Sequence, residues 1–330
     1  MARGWVIGGL FAASLAVSAL AADPDSANVD YSAERAAIED FQSLDQRLQD
    51  TGWRLARGNA EFCSDTYAAT GLQLQDMASY GAPDIARNAL SLNRDFAVQT
   101  AAKGSPAGAS GAFPANREIM TLGNAEPNLW KADDRLDWKR LKRAHDHIDA
   151  ELSQSGKLTV GFADGEAITL TGVKACATRF ELTGDNERAV ADGSRVVIGA
   201  RFSGFAFDDD LFAAAIAHEL AHNLLGHREW LDTNGRKRRN IRATEREADK
   251  LMPWLLANAG YDPAAAGRFF REYQPNSGGA LFLSGSHDKW QKRAKAVDAE
   301  LPRIRATLQN SNQADWSAHV TRLIDPGKGQ

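Results

Sequence analysis

The chain has little of what would make a membrane protein or a nucleic-acid binder. After the first 22 residues no stretch is long and apolar enough to cross a bilayer, which takes about 20 residues. Formal net charge is −4, so there is no global basic surface to attract nucleic acid. No cysteine follows the opening apolar run, which argues against a lipoprotein leader. Internal repeats and low-complexity tracts are absent. Cysteine itself is scarce, with Cys63 and Cys176 the only two.

What is present starts with a short basic n-region at Arg3 and an apolar and small-residue run over 5–20. Ala19-Leu20-Ala21 is a small-x-small cleavage site, so residues 1–22 read as a signal peptide. The mature chain is then exported, most simply to a periplasm and otherwise secreted. In an oxidising compartment an even cysteine count makes Cys63 and Cys176 a candidate disulfide, with two buried thiols as the alternative.

A length of 330 residues, 43% apolar and 25% charged, is ordinary for a globular protein with more than one core. Over 23–71 the pattern is helical: Ile38, Phe41, Leu44 and Leu48 recur at helical spacing, and Gly52 is a candidate break. Over 72–175 short apolar runs alternate with Gly, Pro and Ser. Strands are expected at 96–98 and 118–122, turns over 103–109, a helix over 138–152 and a hairpin from 157–162 and 167–171. Over 176–325 a strand at 196–202 precedes helices at 208–226, 242–259, 263–272 and 289–308. The fold class is α+β, a β-rich part beside a mainly helical one.

His218-Glu219-Leu220-Ala221-His222 sits in a strongly apolar helical run. Positions i and i+4 share a face, so both imidazoles can meet one Zn²⁺. Glu219 can reach a water on that ion without binding the ion itself. Two histidines and a carboxylate are costly to bury in an apolar helix without a partner, and one metal ion accounts for all three. A third ligand is needed. The metzincin extension would put Gly at 225 and His at 228, but the chain has Leu225 and Arg228. A carboxylate from a second helix remains. Glu245 and Asp249 share a face while Glu247 points elsewhere, so Glu245 is the expected ligand and Asp249 the group that accepts a ligand histidine's other proton. His145 and His147 lie on different faces of their helix. His227 and His319 are expected to be exposed. The basic run Arg236-Lys237-Arg238-Arg239 reads as a solvated loop able to meet acidic substrate or a membrane surface, inner or outer.

These motifs resemble metallopeptidase family forty-eight, the HtpX-like and CAAX prenyl endopeptidase-like zinc peptidases. The resemblance covers roughly residues 176–310. It rests on the HELAH string with Glu245-x-x-Ala248-Asp249, on Ala259-Gly260-Tyr261-Asp262-Pro263-x-Ala265, on Phe282-Leu283-Ser284-Gly285-Ser286-His287 with Arg293, and on Asn186 to Gly193 with Val196-Val197-Ile198. Asp288 stands where Pro is usual. The resemblance implies a gluzincin peptidase domain holding one Zn²⁺ on His218, His222 and Glu245. It also implies Glu219 as general base, His287 as oxyanion stabiliser and Arg293 ordering the loop that carries it. Val196, Val197 and Ile198 are expected to form the sheet edge that holds extended substrate. Residues 72–175 resemble a PDZ-like module, through Gly104-Ser105-Pro106-Ala107 and Ala115 to Asn124, which implies docking of extended peptide on a sheet edge. The expected function is zinc-dependent endoproteolysis of exported proteins, with two rivals: a PDZ-like chaperone or assembly factor with little turnover, and a different zinc hydrolase such as an amidase.

Overall fold

Helix α1 (Tyr31–Gly58) begins where the Asp30 carboxylate accepts hydrogen bonds from the Ser32 and Ala33 amides, a side-chain cap on otherwise unpartnered donors. It runs straight through Gly52, where the sequence suggested a break. In this computed structural model, which describes residues 29–133, 136–184, 186–273 and 288–324, Gly52 is a point of close approach. A Cβ there would lie 2.4 Å from the Phe180 ring, so the helix tolerates glycine's entropic cost in exchange for packing depth. Gly52→Ala should therefore destabilise the protein by about 1–3 kcal/mol through overpacking, although alanine in an open helix position would add about 0.5–1 kcal/mol. Urea denaturation measures this, and an unchanged or raised midpoint would refute the close approach.

The chain then runs through β1 (Thr66–Ala69), β2 (Leu72–Asp76), α2 (Pro83–Leu90), β3 (Phe96–Ala101), α3 (Pro106–Ser110), β4 (Ile119–Leu122), α4 (Trp138–Ser155), β5 (Lys157–Phe162), β6 (Ala167–Thr171) and β7 (Val173–Cys176). Next come β8 (Arg179–Thr183), β9 (Ala189–Ala191), β10 (Arg195–Gly199), α5 (Asp209–Leu224), α6 (His227–Asn234) and α7 (Arg238–Asn258). Helices α8 (Ala265–Glu272), α9 (Trp290–Asp298), α10 (Leu301–Asn310) and α11 (Trp316–His319) complete the order. The fold is α+β with small sheets. No helix among the described residues is long and apolar enough to cross a membrane. The expected leader at 1–22, His287 and the string that precedes it lie outside the described residues.

Two large cores and a small third one of Ile38, Met77, Tyr80, Ala86 and Leu90 divide the molecule. Leu74, Phe96, Val98, Ile119, Ile148 and Val160 belong to one, within the β-rich part. Leu48, Leu55, Phe212, Ile216, Leu251 and Phe270 belong to the other, within the helical part. Leu48 and Leu55 make α1 a component of the second core. Antiparallel β1 and β7 pair Thr66 with Cys176 and Ala69 with Val173. The chain thus enters and leaves the β-rich part through one two-stranded clasp. Cys63 and Cys176 are bridged beside it, with Cα atoms 5.6 Å apart.

Some elements differ from their sequence expectation for identifiable reasons. The turn-rich stretch at 103–109 yields α3, because Ser105 caps it by accepting from the Gly108 amide and Pro106 occupies its start. The single helix expected over 289–308 is two, since Pro302 can only open a new helix. The loop expected between the two histidine and carboxylate helices is largely α6. Gly226, at φ 64°, ends α5 in the left-handed conformation and lets the chain start again. Of the basic run, Arg238 and Arg239 already belong to α7.

Candidate metal centre

Helix α5 starts at Asp208, whose carboxylate accepts from the Leu211 amide. It is buried all round, every residue over 211–221 being inaccessible. It packs against α7, and that pairing brings the expected groups together. His218 Nε2 lies 3.3 Å from Glu245 Oε2 and 3.3 Å from His222 Nε2, and His222 Nε2 lies 3.5 Å from Glu245 Oε1. Each imidazole nitrogen thus has a different Glu245 oxygen beside it, and one donor atom from each of the three residues lies within 4.8 Å of the others. Ligands about 2.0–2.1 Å from a tetrahedral ion stand about 3.3 Å apart, which is the spacing of the two imidazole nitrogens, and the carboxylate is near enough to supply the third donor. Among the described residues this is the one group of three so placed.

The electrostatics agree with that reading. Burial pulls the His218 imidazole down, but Asp249 and Glu245 outweigh it and hold it up at about 9. A metal ion bound there would replace a proton that two carboxylates attract. Burial raises the Glu219 carboxyl above its ordinary range against the pull of both histidines, with an Ala191 backbone hydrogen bond also opposing it. Asp249 sits 3.3 Å from His218 Nδ1 and is clamped by Arg293, Nε to Oδ2 at 2.8 Å and Nη2 to Oδ1 at 2.6 Å. Burial alone would raise Asp249, yet Arg293 and His218 hold it below its usual value. Arg293 Nη2 also comes within 3.8 Å of Glu245 Oε2, and its guanidinium lies over Phe270. Its observed partners are thus the carboxylates of α7.

One expectation is corrected by the topology. Val196, Val197 and Ile198 lie on β10, which pairs with β8 in parallel and with β9 antiparallel. It is the central strand of three and its backbone groups are taken. The edge nearest the candidate centre is β9, which packs on α5 and whose Ala191 touches Glu219.

A second correction concerns His227, expected to be exposed but only 1% accessible. Its Nδ1 lies 2.9 Å from His222 Nδ1 and its Nε2 3.0 Å from Glu247 Oε2. Glu247 does face away from the donor set, but into the core. Its helix carries the signal. Asn240, Thr244, Glu247 and Leu251 form one buried stripe, and a carboxylate in the middle of such a stripe demands a partner. The remaining histidines among the described residues stay outside the centre. His145 Nε2 meets the Leu74 amide at 3.5 Å, and His147 Nε2 the Leu122 carbonyl at 2.9 Å. His319 stacks on Trp254 with ring centroids 5.6 Å apart. No family model, no curated protein and no solved structure matches the chain.

Proposed function

We propose that the chain is a zinc-dependent endopeptidase acting on exported proteins, in the manner of the family forty-eight metallopeptidases its motifs resemble. The observation that carries this reading is the cluster of His218, His222 and Glu245, whose imidazole nitrogens stand 3.3 Å apart and 3.3 and 3.5 Å from the two Glu245 oxygens, with Glu219 on the histidine helix. Two imidazoles and a carboxylate are a donor set of catalytic zinc, which keeps one position open. When bound, the ion supplies Lewis-acid polarisation of the scissile carbonyl and activates water near neutral pH. Glu219 takes the water's proton and delivers it to the leaving amine. Its burial raises its proton affinity, as a group that both accepts and donates requires.

Substrate backbone would add to the outer edge of β9, where Val190 is exposed. His287 keeps the oxyanion role that the resemblance assigns it. Its neighbour Asp288 is fastened to Arg246, the residue after Glu245, by hydrogen bonds of 2.7 and 3.1 Å. Docking of extended peptide on the PDZ-like part is supported by β2, which pairs only with β3. A cavity of about 660 Å³ runs between β2, α4, α1 and β8, lined in part by Phe41, Leu74, Trp138, Leu141 and Phe180. The Cys63–Cys176 bridge supports an oxidising, periplasmic location.

Purified protein should carry one zinc ion per chain, matching the single donor cluster, and should cleave an unfolded protein such as casein. A chelator should remove the cleavage and added zinc restore it. A zinc-loaded protein that binds casein without cutting it would fit a peptide-binding assembly factor instead.

A further inference from the structure

The most heavily built polar cluster outside the donor set surrounds Glu247. Its side chain is 0% accessible, yet four donors converge on it: His227 Nε2 at 3.0 Å, Arg322 Nε at 2.8 Å, the Ile324 amide at 2.7 Å and the Leu323 amide. A guanidinium and two backbone amides can only donate, so they hold Glu247 as a carboxylate, which can only accept. His227 must then carry a proton on Nε2. In the neutral imidazole its Nδ1 is a lone pair, and that atom faces His222 Nδ1 at 2.9 Å. His222 therefore donates from Nδ1. Its Nε2, the atom in the donor set, is left with the lone pair a metal needs. Were the order reversed, with His222 Nδ1 accepting, the proton would sit on Nε2 and block the ligand position.

The source of two of those donors matters. His218 is backed by Asp249 and Arg293, which belong to α7 and α9. His222 is backed through His227 and Glu247 by the last described stretch of chain. Arg322 also donates from Nη2 to the Leu225 carbonyl at 2.8 Å, at the residue that caps α5. Residues 322–324 thus grip both the carboxylate that sets the proton order and the end of the histidine helix. We propose that His227 and Glu247 are positioning residues that lock the tautomer of His222, and that docking of residues 322–324 holds this lock closed, so that metal affinity depends on the C-terminal segment. The role presupposes the metal centre proposed above.

Competition with a zinc chelator tests it on the full-length chain. Wild type sets the reference, and His218→Ala, which removes a direct ligand, should lose the ion. His227→Gln should weaken zinc binding by about 10–100-fold, the range for a group behind a ligand histidine, and Arg322→Met by a smaller but measurable factor. His227→Gly should bind weakly and regain affinity when imidazole is added, which a loss of general structure would not permit. If wild type holds zinc and both His227→Gln and Arg322→Met hold it as tightly, the lock is refuted while the metal centre stands. If His227→Gln does not fold, Arg322→Met decides, since that side chain is 29% accessible: unchanged affinity refutes the lock. If wild type binds no zinc, the centre and the lock fall together.

Discussion

Glu219→Gln is expected to keep its metal ion and to lose peptide cleavage by about 10²–10⁴-fold, the usual contribution of a positioned general base. The reason is positional. Glu219 lies one residue from His218 on α5, and its carboxylate is no part of the donor set, so the amide leaves that set intact. The substitution is nearly isosteric in a buried site, so packing against α7 and β9 should change little. What disappears is the ability to hold a proton between water and the leaving amine. Zinc content by atomic absorption and casein cleavage, read on the same preparation, separate the two effects. Loss of zinc together with activity would mean that Glu219 is a ligand. Full activity in the variant would remove the proposed mechanism.

The second large effect concerns the choice between two glutamates two residues apart. Glu245→Ala should lower zinc affinity by more than about 100-fold, beyond the 10–100-fold typical of a group behind a ligand. It removes the carboxylate whose two oxygens stand 3.3 Å from His218 Nε2 and 3.5 Å from His222 Nε2. It also leaves His218 with Asp249 as its remaining carboxylate partner, which lowers the imidazole from its present value of about 9. Glu247→Ala should cost less, because Glu247 reaches the centre only through His227. Equal losses would show that the ligand has been assigned to the wrong carboxylate.

The donor set was legible because helical spacing turns sequence distance into direction. Positions 218 and 222 had to share a face, and so did 245 and 249. The hairpin of β5 and β6 was legible for a similar reason, since its alternation and its Ala163-Asp164-Gly165-Glu166 turn are local. What escaped was set by partners far along the chain. Gly52 read as a break because its justification, the Phe180 ring, lies in another element. His227 read as exposed because Glu247 and Arg322 reach it only after folding. Strand β10 was taken for an edge because the pattern of Val196, Val197 and Ile198 reveals burial but not how many neighbours a strand has. The partner β9 is a three-residue strand, too short to announce itself by alternation.

The bridge between Cys63 and Cys176 closes a ring across a sequence separation of 113, and the whole β-rich core lies on that ring. If the chain cuts polypeptides as proposed, this changes what self-cleavage would do. A nick in the turn that joins β5 to β6 would free no fragment, because both new ends stay tethered through the sulfurs and the β1–β7 clasp. The cut would add one water but release no fragment on a non-reducing gel until a reductant opened the ring. Separating the two pieces of a singly nicked chain would then need a second, reductive event, which the proposed oxidising compartment would withhold.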